Sequence, residues 1–303
     1  MFVRAAYIGV VLIWSTTPLA IQWSSESGDY LFAISLRMLI GLSVLYVIFS
    51  ITQLKLSSAR SAMQCYVTSG LGIIVSMTCV YWGAQFIPSG WIAVIFGLSP
   101  ISTGLLSALF INEKNISSFK VAGMVMGLLG LIVIFGTSNQ LNAQVLWGVF
   151  AVFVSTFTHS LSAVLIKRIN APISGVEASL GGLTVAVPIL LLSLLFSGKA
   201  VPIDMPTYAW ASILYLGVIA TALGFTLYYY ILKNLEAIRV SMITLITPVI
   251  ALLLGGVLNN EPLTASILIG VALVVIGLAM FQFEKNIGYW LRQVLKIRPL
   301  MHK

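Results

Sequence analysis

The stretch YWGAQFIPSGWIAVIFGLSPISTGLLSALFINE, Tyr81 to Glu113, decides the fold because a related stretch begins 148 positions later. That second copy, YYILKNLEAIRVSMITLITPVIALLLGGVLNNE, runs from Tyr229 to Glu261. Few positions are identical, but those that match punctuate a helix. An aromatic precedes the turn (Tyr81, Tyr229), a proline sits mid-helix (Pro100, Pro248), and an Asn-Glu pair ends it (Asn112-Glu113, Asn260-Glu261). Past the glutamate each copy enters an apolar helix with glycines seven apart, Gly123 and Gly130 in one, Gly270 and Gly277 in the other, after a one-residue gap. A repeat at fixed offset means two similar units packed together. The chain reads as two halves, 1–140 and 141–284, followed by a tail, 285–303.

Composition says where such halves can live. Apolar residues make up 59% of the chain and charged residues 8%, against roughly a quarter charged in a soluble domain. The chain cannot cover a water-facing surface and must be an integral membrane protein. Its net charge of +8 therefore bears on membrane topology, not on a nucleic-acid partner. Cys65 and Cys79 lie on one expected helix, about 21 Å apart by its rise, too far for a disulfide. The first apolar run reads as a retained span and not as a cleaved leader.

Apolar runs of about 20 residues span a bilayer as helices. Ten are expected, at 5–23, 31–51, 63–83, 90–111, 119–137, 145–166, 177–197, 208–231, 238–258 and 264–283. With the N-terminus inside, fourteen of the sixteen Lys and Arg fall in cytoplasmic segments, leaving Lys199 outside and Arg37 within a helix. The positive-inside rule then puts both termini in the cytoplasm. Five helices per half is odd, so the second half enters the membrane inverted. The expected fold is an all-α membrane protein of ten transmembrane helices in two inverted five-helix repeats. Inverted repeats put a substrate site near the midplane at their junction. In the tail, Ile287, Trp290, Leu291, Val294 and Leu295 recur at helical spacing beside Arg292, Lys296 and Arg298, fitting an amphipathic helix on the anionic inner leaflet.

Four stretches resemble the EamA family of the drug/metabolite transporter superfamily. The first helix reads Trp14-Ser15-Thr16-Thr17-Pro18-Leu19-Ala20-Ile21-Gln22, similar to the family's Trp-Gly-small-x-x-x-Ala-Ile-Lys opening. The second carries Leu36-Arg37-Met38-Leu39-Ile40, and the twin helix ends Phe110-Ile111-Asn112-Glu113 and Leu258-Asn259-Asn260-Glu261 complete the match. Ser15 replaces the usual Gly and Gln22 the usual Lys, so a charge role of that Lys is absent here. The resemblance implies a ten-helix carrier of the bacterial inner membrane, often an exporter of amino acids or other small metabolites, with no cofactor.

Polar groups at bilayer depth are functional candidates by default. Ser155, His159 and Ser162 share one face of the sixth span, a polar stripe that either lines the cavity or bonds a neighbouring helix. Arg37, about 10 Å into the second span, either draws an anionic group into an outer vestibule, or snorkels to the interface or pairs with a loop acid. Tyr81, Trp82 and Thr78 on the third span, and Tyr228 and Tyr229 on the eighth, read either as cavity walls suited to flat or cationic ligands or as an interfacial belt. Trp14, Thr17 and Gln22 are candidates on the first span. Pro100, with Ser99 beside it, and Pro248, with Thr244 and Thr247, read as paired hinges whose hydroxyls take up freed carbonyls. Glu113 and Glu261 read as caps on the next helix, and Gly123, Gly127 and Gly130 as a packing or homodimer face.

No Asp or Glu lies within the core of any expected span, and one His makes neither a zinc site nor a triad, so an enzyme is not expected. Neither is a channel, for want of a filter motif. Proton coupling through a membrane carboxylate has no residue here, leaving His159 or simple facilitation, and we favour the second. The expected function is export of small solutes, foremost aromatic or neutral amino acids. The rivals are an antiporter of nucleotide sugars, phosphate esters or other anions, and a membrane receptor.

Overall fold

A computed structural model describes residues 2–26, 29–53, 55–111, 118–136, 142–199, 202, 204–241 and 243–282. All regular structure among them is helical: α1 (Phe2–Ser25), α2 (Tyr30–Ile51), α3 (Arg60–Gly83), α4 (Ser89–Phe96), α5 (Ser99–Phe110), α6 (Ser118–Gly136), α7 (Ala143–Ile169), α8 (Gly175–Phe196), α9 (Thr207–Tyr215), a π-helical stretch (Leu216–Leu223), α10 (Gly224–Asn234), α11 (Ala237–Ser241), α12 (Ile243–Leu258) and α13 (Ala265–Gln282). Within a bilayer the backbone must bond to itself, so apolar segments become helices. Their ends are written in the sequence. Asp29 caps α2 through Leu31 N, Asn142 caps α7 through Val145 N, and Ser174 with Glu177 forms a capping box on α8. Asn170, in the left-handed region at φ 48°, stops α7.

Eight helical passes are long and apolar enough to cross a membrane, and two shorter apolar helices, Val121–Ile134 and Ala265–Gly277, occupy the fifth and tenth expected spans. Large apolar side chains such as Leu12, Val47, Leu109 and Phe196 point outward from the bundle, the surface a lipid environment requires. The fourth span departs from expectation: it begins as a separate short helix, α4, before α5. The eighth contains eight residues of π-helix, Leu216–Leu223, an insertion often found at functional positions.

Packing follows a regular scheme. α3 lies against α7 and α8; α1 lies against α9, α10 and α12; α2 packs on α8 and the π stretch, α4 on α12, and α5 on α7. α6 and α13 pair face to face through glycines: a Cβ on Gly130 would lie 2.5 Å from the Gly270 carbonyl oxygen, and one on Gly277 would lie 2.5 Å from that of Gly123. The glycine face expected to pack or to dimerise is therefore occupied within the chain. Asn112, Glu113 and the amphipathic tail lie outside the described residues.

Candidate functional site

A cavity of about 70 Å³ lies where seven helical segments converge. From the N-terminal half come Trp14, Thr17 and Ile21 of α1, Arg37 of α2, Met77 of α3 and Phe96 of α4. From the C-terminal half come His159 of α7, Phe225 of α10, and Thr244 and Thr247 of α12.

Arg37 is the charge in the wall. Its side chain is 2% exposed, which removes the interfacial snorkelling alternative. Nε donates to Thr221 Oγ1 at 2.9 Å and Nη1 to the Tyr81 hydroxyl at 3.4 Å, with the guanidinium carbon 5.8 Å from the Tyr81 ring centre. Tyr81 thus supports the arginine from behind and is itself fully buried. Thr221 belongs to the π stretch, and Gly41 and Gly217 let α2 approach it: a Cβ on Gly217 would lie 3.1 Å from the Arg37 carbonyl oxygen.

Opposite the arginine stands an aromatic stack. The His159 ring lies 5.5 Å from Trp14, 5.1 Å from Tyr228 and 6.3 Å from Phe96, and Trp14 lies 5.0 Å from Tyr228. No hydrogen bond to the His159 ring is found among the described residues. The polar stripe expected beside it divides. Ser155 Oγ donates to the Ser76 carbonyl at 2.7 Å and Ser162 Oγ to the Thr68 carbonyl at 3.2 Å. Both serines stitch α7 to α3, and only His159 faces the main cavity. Ser162, Tyr228 and Tyr229 line a smaller space of about 10 Å³ behind it. Tyr229 is tied to Ser69, oxygen to oxygen at 2.5 Å, and both tyrosines are buried. They form no interfacial belt.

Other expected positions fall elsewhere. Trp82 stacks edge-on against Phe86 at 5.0 Å, and neither Trp82 nor Thr78 lines the cavity. Ser99 Oγ donates to the Phe96 carbonyl at 2.6 Å, the carbonyl that Pro100, lacking an N–H, leaves without its helical partner. Thr244 Oγ1 donates to the Ser241 carbonyl at 2.6 Å, which is not the carbonyl that Pro248 frees; that one is Thr244's own. The chain breaks at Gly97 and Leu98, and Gly97 packs against the Pro248 ring: a Cβ there would lie 3.3 Å from its Cγ. The two proline regions therefore meet, one across a helix break and the other inside α12.

Gln22 and Glu261 do something neither spacing nor repeat foretold. The expected role of Glu261, capping the helix that follows it, is filled by Thr264, which accepts from Ile267 N at 3.3 Å. Glu261 reaches instead to the N-terminus of α4. Its Oε1 accepts from Ser89 N at 3.0 Å and Ser89 Oγ at 2.6 Å, and its Oε2 from Gly90 N at 3.1 Å. Gln22 Oε1 also accepts from Ser89 N, at 3.1 Å, and Trp23 Nε1 donates to Asn259 Oδ1 at 2.9 Å. Asn260, left-handed at φ 51°, turns the chain back over α12, and Gly255 leaves space for the carboxylate: a Cβ would lie 2.5 Å from Oε2. This knot closes the end of the bundle at which α1 finishes.

Phe96, Phe225 and Thr221 were not singled out from sequence. Phe225 stands three and four residues before Tyr228 and Tyr229, one helical face that the spacing could have shown. Thr221, four residues before Phe225 and seven before Tyr228, keeps the same spacing and could have been read with them.

The EamA-like transporter family model matches residues 4–136 and again 146–283. The chain belongs to that family. The uncharacterized transporter YoaV of Bacillus subtilis (strain 168) is 30% identical over 289 residues, covering 93% of this chain and 97% of its own. A Salmonella typhimurium protein named a probable amino-acid metabolite efflux pump is 26% identical, covering 79% of this chain and 82% of its own. A crystal structure aligns with a TM-score of 0.72 at 20% identity over 94% of this chain and 98% of that one, a likeness of fold. The chain is thus a multi-pass membrane transporter whose relatives are named as transporters and not as enzymes.

Proposed function

We propose that this EamA protein exports small metabolites, aromatic or neutral amino acids foremost, across the bacterial inner membrane by alternating access. Ten spans form two inverted five-helix repeats, 1–140 and 141–284, with both termini and the basic tail cytoplasmic. The observation carrying the reading is the cavity itself, walled by both halves of the sequence and closed at one end by a knot that joins them. The helix packing supports the inverted halves: exchanging each helix for its counterpart about 148 positions away converts α3–α7 into α10–α1, and α5–α7 into α12–α1, leaving the neighbours the same. With the N-terminus inside, the Glu261 knot lies at the outer mouth, and the described form is closed to the outside. The aromatic stack suits flat side chains, and the relative named an amino-acid metabolite efflux pump agrees in substrate class.

The test is efflux from proteoliposomes loaded with the twenty amino acids, read by mass spectrometry, with His159→Ala alongside. Selective loss of aromatic or neutral amino acids, impaired in the variant, is expected. A well-folded preparation that releases none removes this substrate class. A second reading, exchange of anionic metabolites such as nucleotide sugars or phosphate esters, would have to rest on the single cation Arg37 and would then be the next panel.

A further inference from the structure

We infer that Arg37 is the anchor for a substrate carboxylate, so that the solute recognised is a small monocarboxylate carried on an apolar or aromatic body, whether or not it also bears an amino group. The inference rests on the carrier reading above for its biological setting, but its chemistry stands on charge accounting within the bundle.

A guanidinium stays charged, and an unpaired charge held out of water costs several kcal/mol. The chain has eight Asp and Glu; Glu113 and Glu284 lie outside the described residues, leaving six. Asp29 holds the α2 N-terminus and Lys199 at 3.2 Å, and Glu26 accepts from Tyr208 at 3.0 Å. Glu177 closes the α8 capping box, Glu236 pairs with Arg239 at 3.0 Å, and Glu261 holds α4. Asp204 is exposed. None of the six reaches Arg37. Of the five N–H groups, two are spent on Thr221 and Tyr81, both neutral oxygens. Three remain, enough for the two parallel bonds of a carboxylate, and the side chain borders the cavity. Thr221 and Tyr81 fix the fork from behind.

The rest of the wall narrows the class. Among the described lining residues there is no acid to hold an ammonium, while Trp14, Phe96 and Phe225 present apolar ring surface. One cation and an aromatic wall match one anion and an apolar body. A dianionic phosphate ester or a nucleotide sugar would bring more charge than Arg37 can neutralise. A cationic amine would meet the like charge of the guanidinium.

The test is equilibrium titration of the full chain in nanodiscs with three probes sharing one ring: phenylalanine, 3-phenylpropanoate and phenethylamine. Phenylalanine and 3-phenylpropanoate are expected to bind and phenethylamine not to. Arg37→Gln is expected to weaken both acids by about tenfold to a hundredfold, the loss of one charge-assisted hydrogen bond, and Arg37→Lys by less. Amine binding equal to acid binding, or no binding by any probe, overturns the proposal, as does unchanged acid affinity in a folded Arg37→Gln protein. If that variant does not fold, the wild-type comparison of acid with amine decides alone. Acid binding without flux in the liposome assay would leave the anchor standing and remove the carrier reading, whereas flux of phenethylamine would do the reverse.

Discussion

Glutamine at position 261 should open the end of the bundle that the wild-type carboxylate closes. Glu261 accepts from Ser89 N, Ser89 Oγ and Gly90 N, all in the N-terminal half of the sequence, and from Asn259 Nδ2 at 3.3 Å. An amide keeps one acceptor oxygen but turns the other position into an N–H₂ facing the Gly90 N–H. A bond to a charged acceptor is worth about 1.5–3 kcal/mol and a neutral one about 0.5–1.5, and the carboxylate also gains from the α4 N-terminal dipole. Weakening two such bonds and losing a third removes about 3.5–6 kcal/mol from the closed form alone, because an opened mouth separates α12 from α4. At 1.4 kcal/mol per decade the open fraction rises at least about three-hundredfold. The assay is thiol labelling by a membrane-impermeant reagent at Ile21→Cys, a cavity position one residue before Gln22, with Cys65 and Cys79 replaced. Faster labelling from outside is expected in Glu261→Gln. Equal labelling rates in two folded proteins would show the knot to be a structural staple and refute the gate.

Thr221→Val removes the oxygen that accepts from Arg37 Nε in the solute-free protein and leaves a buried guanidinium N–H unpaired; folding stability should fall by about 1–3 kcal/mol, seen as a lower unfolding temperature, and carboxylate affinity falls with it as the fork loses its fixed orientation. Pro100→Ala supplies an N–H for the Phe96 carbonyl now held by Ser99 and should straighten the α4–α5 break. With that break acting as a hinge, turnover falls several-fold at unchanged binding affinity, measured by flux and titration together. Gly130→Val drives a side chain into the Gly270 carbonyl and Val274 and should cost about 1–3 kcal/mol by overpacking, seen as a lower unfolding temperature in detergent with the ligand series unaltered.

What the sequence could show follows from which physical constraint acts at each position. Hydropathy is imposed by the bilayer along every span, so helix positions were legible to within a few residues. The cavity was partly legible: Trp14, Thr17, Arg37, His159, Thr244 and Thr247 line it as polar or aromatic groups where lipid would forbid them. Ser155 and Ser162 satisfy the same criterion and yet bond α3, because helical spacing gives the face a residue occupies but not which neighbour that face meets. Thr221 keeps helical spacing with Phe225 and Tyr228 and was legible on that criterion, whereas Glu261 was hidden by the assumption that a carboxylate at a helix end serves the helix next in sequence.

The position of Glu261 also gives the Asn-Glu signature a physical use. A carboxylate at the end of α12 holds the start of α4, and α4 is the part of the fourth span that stands apart from α5 at the Gly97–Leu98 break. The same α4 carries Phe96 into the cavity, where its ring meets His159, and Gly97 rests on Pro248. A movement that releases Glu261 from Ser89 must therefore shift the aromatic wall as well, since eight residues of helix separate the two contacts and cannot lengthen. Gate and site are joined by one short rigid element. On the proposed alternating-access reading, solute binding against Phe96 and closure at Ser89 would be the two ends of the same lever.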